Sequence, residues 1–253
     1  MSALSRKPPT PDDTNADAEK PRARRGRPAK LSHEAIVAAA LALLQRVPLD
    51  DIGFATVARE LGVSTMSLYS YFAHRDALLE AVAQAAFSEL VLPHPAGLPW
   101  REALLGWLWA VQRHFERYPA VAKTLGWNGH IPQAWLRTTV PVIDTLREQG
   151  LAGGALAGAT HWFLSSAVGL MVTEASAEAY RQPAAIAAAA TLSAAERASL
   201  EAVTAAWRTD QREPLLALSF ELLLDTLERL LTPQGRQRLS DLGTPRAASR
   251  RKR

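Results

Sequence analysis

The segment 56–72 constrains this chain more than any other, because a small residue, a glycine and a leucine stand there at fixed intervals: Ala58, Gly62 four positions on, and Leu68 six beyond. Two short helices that cross closely need this arrangement. Ala58 keeps the first helix thin, Gly62 permits a turn that a Cβ would oppose, and Val57, Val63 and Leu68 fill the wedge beneath. The spacing predicts a helix-turn-helix whose last helix projects outward, with a polar face able to enter a major groove.

Around this segment the hydrophobic period is helical throughout. Leu31-Ser32-His33-Glu34 reads as a helix start, with Ser32 able to cap amides and Glu34 in the favourable first turn; Ala35 stands where a capping box would place Glu or Gln. Ile36, Ala39, Ala40, Leu43 and Leu44 define one apolar face, and Pro48 predicts an end near Arg46. A second helix is expected over 54–61, a third from Ser64 to about Phe72, and a fourth from about Asp76 carrying Leu78, Leu79, Val82, Ala86 and Leu90. Pro93, Pro95, Gly97 and Pro99 close this unit. Further helices are expected over 100–118, from Pro119 toward Leu125, from Pro132 to about Gln149, after Gly153-Gly154, over 192–207 and over 215–231; the alanine-rich 184–190 fits either helix or loop. No strand-like alternation persists, so the fold class is all-α.

With 253 residues the chain can bury a substantial core in one large domain or two ordinary ones. It has no cysteine, which excludes disulfides, thiolate chemistry and cysteine-ligated metals and is compatible with a cytoplasmic location. No apolar stretch follows Met1, so no secretory signal is read there. Residues 152–173 lack Asp, Glu, Lys and Arg and approach bilayer-spanning length, but Thr160, His161, Ser165, Ser166 and several glycines point to a buried or subunit-interface helix and to no membrane. The formal charge of +4 is unevenly spread: residues 1–19 sum to −2, residues 20–30 hold six positive groups and no negative one, residues 236–253 sum to +6, and 31–235 is left at −6. Basic charge therefore sits in two flanks, a disordered arm over 1–30 and a flexible tail over 233–253, around an acidic body.

The run Leu61-Gly62-Val63-Ser64-Thr65-Met66-Ser67-Leu68-Tyr69-Ser70-Tyr71-Phe72-Ala73-His74-Arg75-Asp76-Ala77-Leu78-Leu79 closely resembles the DNA-binding signature of the tetracycline-repressor-like (TetR/AcrR) regulators. The similarity extends from about Ser32 to Val82, and the Leu-Tyr-x-Tyr-Phe-x-x-Arg-Asp-x-Leu-Leu continuation makes it specific. It implies an N-terminal three-helix helix-turn-helix domain over 31–92 joined to an α-helical ligand-binding and dimerisation domain over 99–232. By position it implies base-edge contacts from Thr65, Met66 and Ser67, with Ser70 as a further one, and phosphate contacts from Thr56, Ser64, Tyr69, Tyr71 and Arg75. Two departures stand out. Gly53 occupies the usual Thr or Ser cap of the second helix, so either Asp51 substitutes or that helix frays, and Ala55-Thr56 lacks the basic residues common there.

Over 31–76, Arg46, Arg59 and Arg75 face Glu34, Asp50, Asp51, Glu60 and Asp76, a net of −2. That is unusual for a phosphate-binding surface. The arm supplies what is missing: Arg24-Arg25-Gly26-Arg27-Pro28 resembles a minor-groove hook, with Arg24, Arg25 and Arg27 following a narrow A·T-rich groove.

The resemblance further implies a homodimer on double-stranded operator DNA, with a four-helix interface around 156–171 and 215–231; Ala157, Gly158, Ala167 and Gly169 would allow close packing. Trp107, Trp109, Phe115, Trp127, Trp135, His161, Trp162 and Phe163 are candidates to line a pocket for an apolar or aromatic effector. The function read from the sequence is a transcriptional repressor released by that effector; the alternative is a dimeric architectural or scaffold DNA-binding protein without one. Enzyme chemistry is not expected: the six histidines form no His-x-x-x-His pair or metal cluster, no glycine-rich phosphate cradle precedes a strand, and no cofactor is implied.

Overall fold

Ser32 starts the first helix as its sequence requires, its Oγ accepting the Ala35 amide at 3.1 Å. This computed structural model describes residues 31–94, 97–122, 131–181, 191–206 and 212–242. In chain order come α1 (His33–Leu44), a 3₁₀ turn (Leu49–Asp51), α2 (Phe54–Leu61), α3 (Thr65–Tyr69), α4 (Arg75–Ser88), α5 (Trp100–Arg117), α6 (Pro119–Ala122), α7 (Gln133–Glu148), α8 (Gly153–Arg181), α9 (Ala194–Ala206), α10 (Arg212–Leu231) and α11 (Pro233–Leu242). The described residues contain no strand. The arm over 1–30, Trp127 and the 184–190 stretch lie outside the described residues.

The apolar periodicity decides which faces meet. Ile36, Ala40, Leu43 and Leu44 of α1 pack on α2 and α4, while Leu78, Leu79, Val82, Ala83, Ala86 and Phe87 of α4 are all buried. α4 packs on α1 and also on α7, so it forms a wall of both the helix-turn-helix and the core. The described residues from Ser32 onward form one compact unit, with the helices before and after residue 94 in the same body. The core helices α5, α7 and α8 pack on one another, and α10 covers α5 and α8. Arg101 at the start of α5 ties α5 to α10 through Glu221 and Asp225.

α8 carries an apolar stretch, Gly153–Glu174, long enough by composition to cross a bilayer. Here one of its faces, Ala155, Ala159, Phe163, Ala167 and Met171, is buried within the subunit. Two of the small residues expected at a subunit interface therefore work inside the chain: Ala167 is buried, and Gly158 makes room for Leu239, whose Cδ2 lies 3.2 Å from where a Cβ would stand.

The expected flexible tail over 233–253 needs correction. Residues 233–242 form α11, which lies along α8 with Leu239 buried. Thr232 Oγ1 accepts the Gly235 amide at 3.2 Å, and Arg236 donates to the carbonyls of Leu231 (2.7 Å), Gln149 (2.6 Å) and Gly150 (3.2 Å). Arg236 thereby satisfies carbonyls at the ends of two helices, α7 and α10, which would otherwise lack donors. Residues 243–253 lie outside the described residues.

Candidate nucleic-acid interface

α2 ends on Gly62 in the left-handed region, φ 65° and ψ 31°, where a Cβ is strained. The Gly62 amide donates to the carbonyls of Ala58 and Arg59, and the Val63 amide donates to Ala58 at 3.0 Å. Ser64 then caps α3, its Oγ accepting the Ser67 amide at 3.3 Å and lying 2.9 Å from Ser67 Oγ. Of the predicted wedge, Val57 and Leu68 are fully buried and Val63 is half-buried, and Ala58 at the crossing is nearly fully buried. α3 stops at Tyr69, short of the expected Phe72, because Phe72 turns inward and its ring lies 4.5 Å from that of His33. His74 caps α4, its Nδ1 accepting the Ala77 amide at 3.1 Å.

With Leu68 anchored, the opposite side of α3 faces outward. Thr65, Met66, Tyr69 and Ser70 are exposed, Met66 at 75%, whereas Ser67 is half-buried. Tyr69 stands edge-on to Phe54 at 4.6 Å, which fixes its ring, and Tyr71 is exposed. The hydroxyls are less available than their positions suggest. Ser70 donates to the Ser67 carbonyl at 2.6 Å and Thr56 to the Asp51 carbonyl at 2.8 Å, so each of these hydroxyls is left with acceptor capacity only.

Charge on this unit is more restricted still. Arg46 pairs with Glu60 at 2.7 Å. Arg75 departs from the expected phosphate contact: its Nε donates to the Ile52 carbonyl at 2.7 Å and one terminal nitrogen to those of Leu49 (2.7 Å) and Asp50 (3.3 Å). The guanidinium folds back onto the turn before α2, sharing the Leu49 carbonyl with the Ile52 amide, which donates to it at 3.1 Å. Arg59, exposed in the last turn of α2, has no ion-pair partner among the described residues. Sequence reasoning assigned it no role, although it stands one helical turn beyond Thr56. Asp51 makes no side-chain cap for α2, which starts on Gly53 with no side-chain cap bond.

The effector candidates divide by helical phase. Trp107, Phe115, Trp135 and Phe163 are buried on one another, with Trp107 and Trp135 centroids 6.2 Å apart, Trp107 and Phe163 5.9 Å, and Phe115 stacked on Trp135 at 6.3 Å. Trp107 Nε1 donates to the Thr138 carbonyl at 2.7 Å, which satisfies the indole. His161 is exposed and does not join them: two residues from Phe163 on one helix, it points to the other side. Trp109 meets Phe220 of α10 at 5.1 Å, and Trp162 is half-buried. A cleft of about 310 Å³ lies apart from these rings, among His94, Leu98, Trp100, Pro141 and Asp144, and one of about 260 Å³ among Phe87, Leu92, Ala134, Arg137 and Thr138 borders them. No group of His, Asp and Glu suited to holding a metal occurs among the described residues.

Residues 36–82, which span α1 to the middle of α4, match the family described as "Bacterial regulatory proteins, tetR family". At the level of sequence, the likeness to the tetR family is a property of these residues. Its similarity to an HTH-type transcriptional repressor of Mycobacterium tuberculosis is 33% identity over 94 residues, 36% of each chain. The chain therefore spans little more than a third of the curated relatives it matches. At the level of fold the tetR-family likeness reaches further. ActR of Streptomyces coelicolor, solved in complex with actinorhodin, superposes with a TM-score of 0.59 at 21% identity, covering 79% of this chain and 98% of that one. BioQ of Mycobacterium smegmatis gives 0.55 at 21% identity over 78% of this chain and 98% of that one, and BioQ has also been solved with its double-stranded DNA operator. The three chains thus share one fold.

Proposed function

We propose that this chain is a cytoplasmic DNA-binding transcriptional regulator that acts as a homodimer, repressing transcription from a palindromic operator until a small molecule releases it. One observation carries the reading: Gly62 turns the chain and Leu68 anchors α3, so that Thr65, Met66, Tyr69 and Ser70 form an outward ridge on a short helix. Thr65 and Ser67 exchange hydrogen bonds with base edges and Met66 meets a thymine methyl. Ser64, Tyr69, Tyr71, Thr56 and Arg59 lie along the flanking phosphates. Because Arg46 and Arg75 are engaged within the unit, the arm residues Arg24, Arg25 and Arg27 provide most of the attraction to DNA by entering the minor groove.

The partner surface follows from what α8 and α10 leave uncovered. Leu215, Leu218 and Leu222 of α10 are 43%, 55% and 56% exposed, and Ala157, His161, Ser165 and Gly169 make an exposed row on α8. A second copy on these two helices buries both rows about a two-fold axis, which matches the symmetry of a palindromic site. An apolar or aromatic effector suits the cluster of Trp107, Phe115, Trp135 and Phe163, and ActR, solved with actinorhodin, is a precedent for ligand binding on this fold. Such a ligand acts only if it prefers one of two dimer states. The test is titration of a duplex selected by the protein from a random library against a scrambled duplex at several salt concentrations. Preference for the selected duplex by two orders of magnitude or more is expected; equal affinities would replace the regulator with a non-specific architectural protein.

A further inference from the structure

We infer that Arg75 is a positioning residue of the DNA-reading unit, whose grip on the carbonyls of Leu49, Asp50 and Ile52 fixes the turn leading into α2, a helix without a side-chain cap at Gly53. The inference rests on the DNA-binding reading above and adds to it the device that fixes the start of α2.

α2 has eight residues, too few to hold helical geometry without outside support. A Ser, Thr or Asp at its N-cap would hold the first amides and define where the helix begins. Gly53 supplies none of this, and its φ of −157° and ψ of 177° are extended backbone that any residue adopts. Nothing lies within 4 Å of a Cβ built on Gly53, so neither conformation nor space demands glycine there. Thr56, three residues on, does not reach back to cap either: its hydroxyl donates to the Asp51 carbonyl.

What holds this end of α2 comes from 23 to 26 residues later in the chain. The Arg75 side chain, at the first position of α4, reaches three carbonyls in the four residues before Gly53. A guanidinium can do this because its donors are fixed in a planar fork; a lysine ammonium carries its three donors on one nitrogen and cannot span the same carbonyls with defined geometry. The result locks the 3₁₀ turn Leu49–Asp51 to α4, and with it the direction in which α2 leaves. α3 packs on α2 through the Gly62 turn, so the pitch of the reading ridge depends on the same lock.

The two roles predict different results with the selected duplex. If Arg75 held phosphate, Arg75→Gln would lower the slope of log affinity against log salt by about 0.9, the value for one released counterion. As a positioning residue it leaves that slope unchanged while affinity falls about tenfold, a loss in keeping with the removal of hydrogen bonds to a charged group. Amide hydrogen exchange over 54–58, measured without DNA, should quicken in Arg75→Gln and in the milder Arg75→Lys. Adding Gly53→Ser, which restores a capping hydroxyl at an unobstructed site, should recover both the protection and most of the affinity. A reduced salt slope, or exchange over 54–58 that neither change moves, overturns the inference. Failure of the DNA-binding reading would show instead as equal affinity of the unaltered protein for selected and scrambled duplexes, with the exchange result still standing.

Discussion

His114 lies buried between the rings of Phe87 at 5.7 Å and Tyr118 at 5.3 Å, and its Nε2 has no hydrogen-bond partner among the described residues. Burial pushes its imidazole below the ordinary value, with the Glu89 carboxylate opposing and the Arg117 guanidinium adding to the shift. In the unfolded chain it takes up a proton near pH 6.5, whereas in the fold it resists until lower pH. Its contribution to stability is therefore complete above about pH 6.5 and is lost as pH falls toward the depressed folded value. Thermal unfolding midpoints should drop between pH 7 and 5.5, and His114→Leu should flatten that part of the profile; an unchanged slope in the variant would assign the loss to other groups. At Ser64 the expectation is different. Its Oγ caps a helix of only five residues, so Ser64→Ala should cost about 1 kcal/mol in denaturant unfolding. Operator affinity should fall with it, because the ridge loses its first turn.

At the scale of elements, the sequence reads best where a helix buries its own apolar stripe. α1, α4, α5 and α10 are legible for that reason, and the α2–α3 turn is legible because Ala58, Gly62 and Leu68 have no other joint use. α11 is illegible for the opposite reason. Its ten residues hold two arginines and only two leucines, and it opens on a proline, which resembles a basic tail. What folds it is tertiary: Leu239 against Gly158, and Arg236 on carbonyls of α7 and α10. Leu239→Ala should destabilise the protein by about 2–3 kcal/mol, as truncation of a buried leucine does, and chemical denaturation measures it. Gly158→Ala, which presses a methyl on the same leucine, should shift the midpoint in the same direction by less. The role of Arg75 was equally hidden. Its side chain stands where a family phosphate contact is expected, and only the position of three carbonyls from a distant turn reveals another use. The aromatic candidates show the same limit: periodicity separates His161 from Phe163, but it does not reveal that Trp107, Phe115, Trp135 and Phe163 pack on one another.

For the whole molecule, charge and symmetry make the predictions. Removing residues 1–30 takes away six arginine and lysine side chains between 20 and 30, and the salt slope of operator binding should fall by about 0.9 for each one that meets a phosphate. An unchanged slope would leave the arm outside the complex. Replacing Leu218 and Leu222 together by glutamate places two charges on the exposed row of α10; the protein should sediment as a monomer at micromolar concentration and lose operator affinity by more than about a hundredfold, since a lone half-site contact is weak. α4 connects these scales. From Phe87, among the aromatic rings of the core, to Arg75, on the turn before α2, is twelve residues of continuous helix, about 18 Å. A tilt of a few degrees pivoting at Phe87 moves the Arg75 end by about an ångström, and hydrogen bonds of 2.7 Å do not stretch that far. Any such tilt must then drag the start of α2 with it or tear the guanidinium from its carbonyls. Either way, a displacement of α4 in the core is felt at the turn before α2, about 18 Å away, with little slack between them.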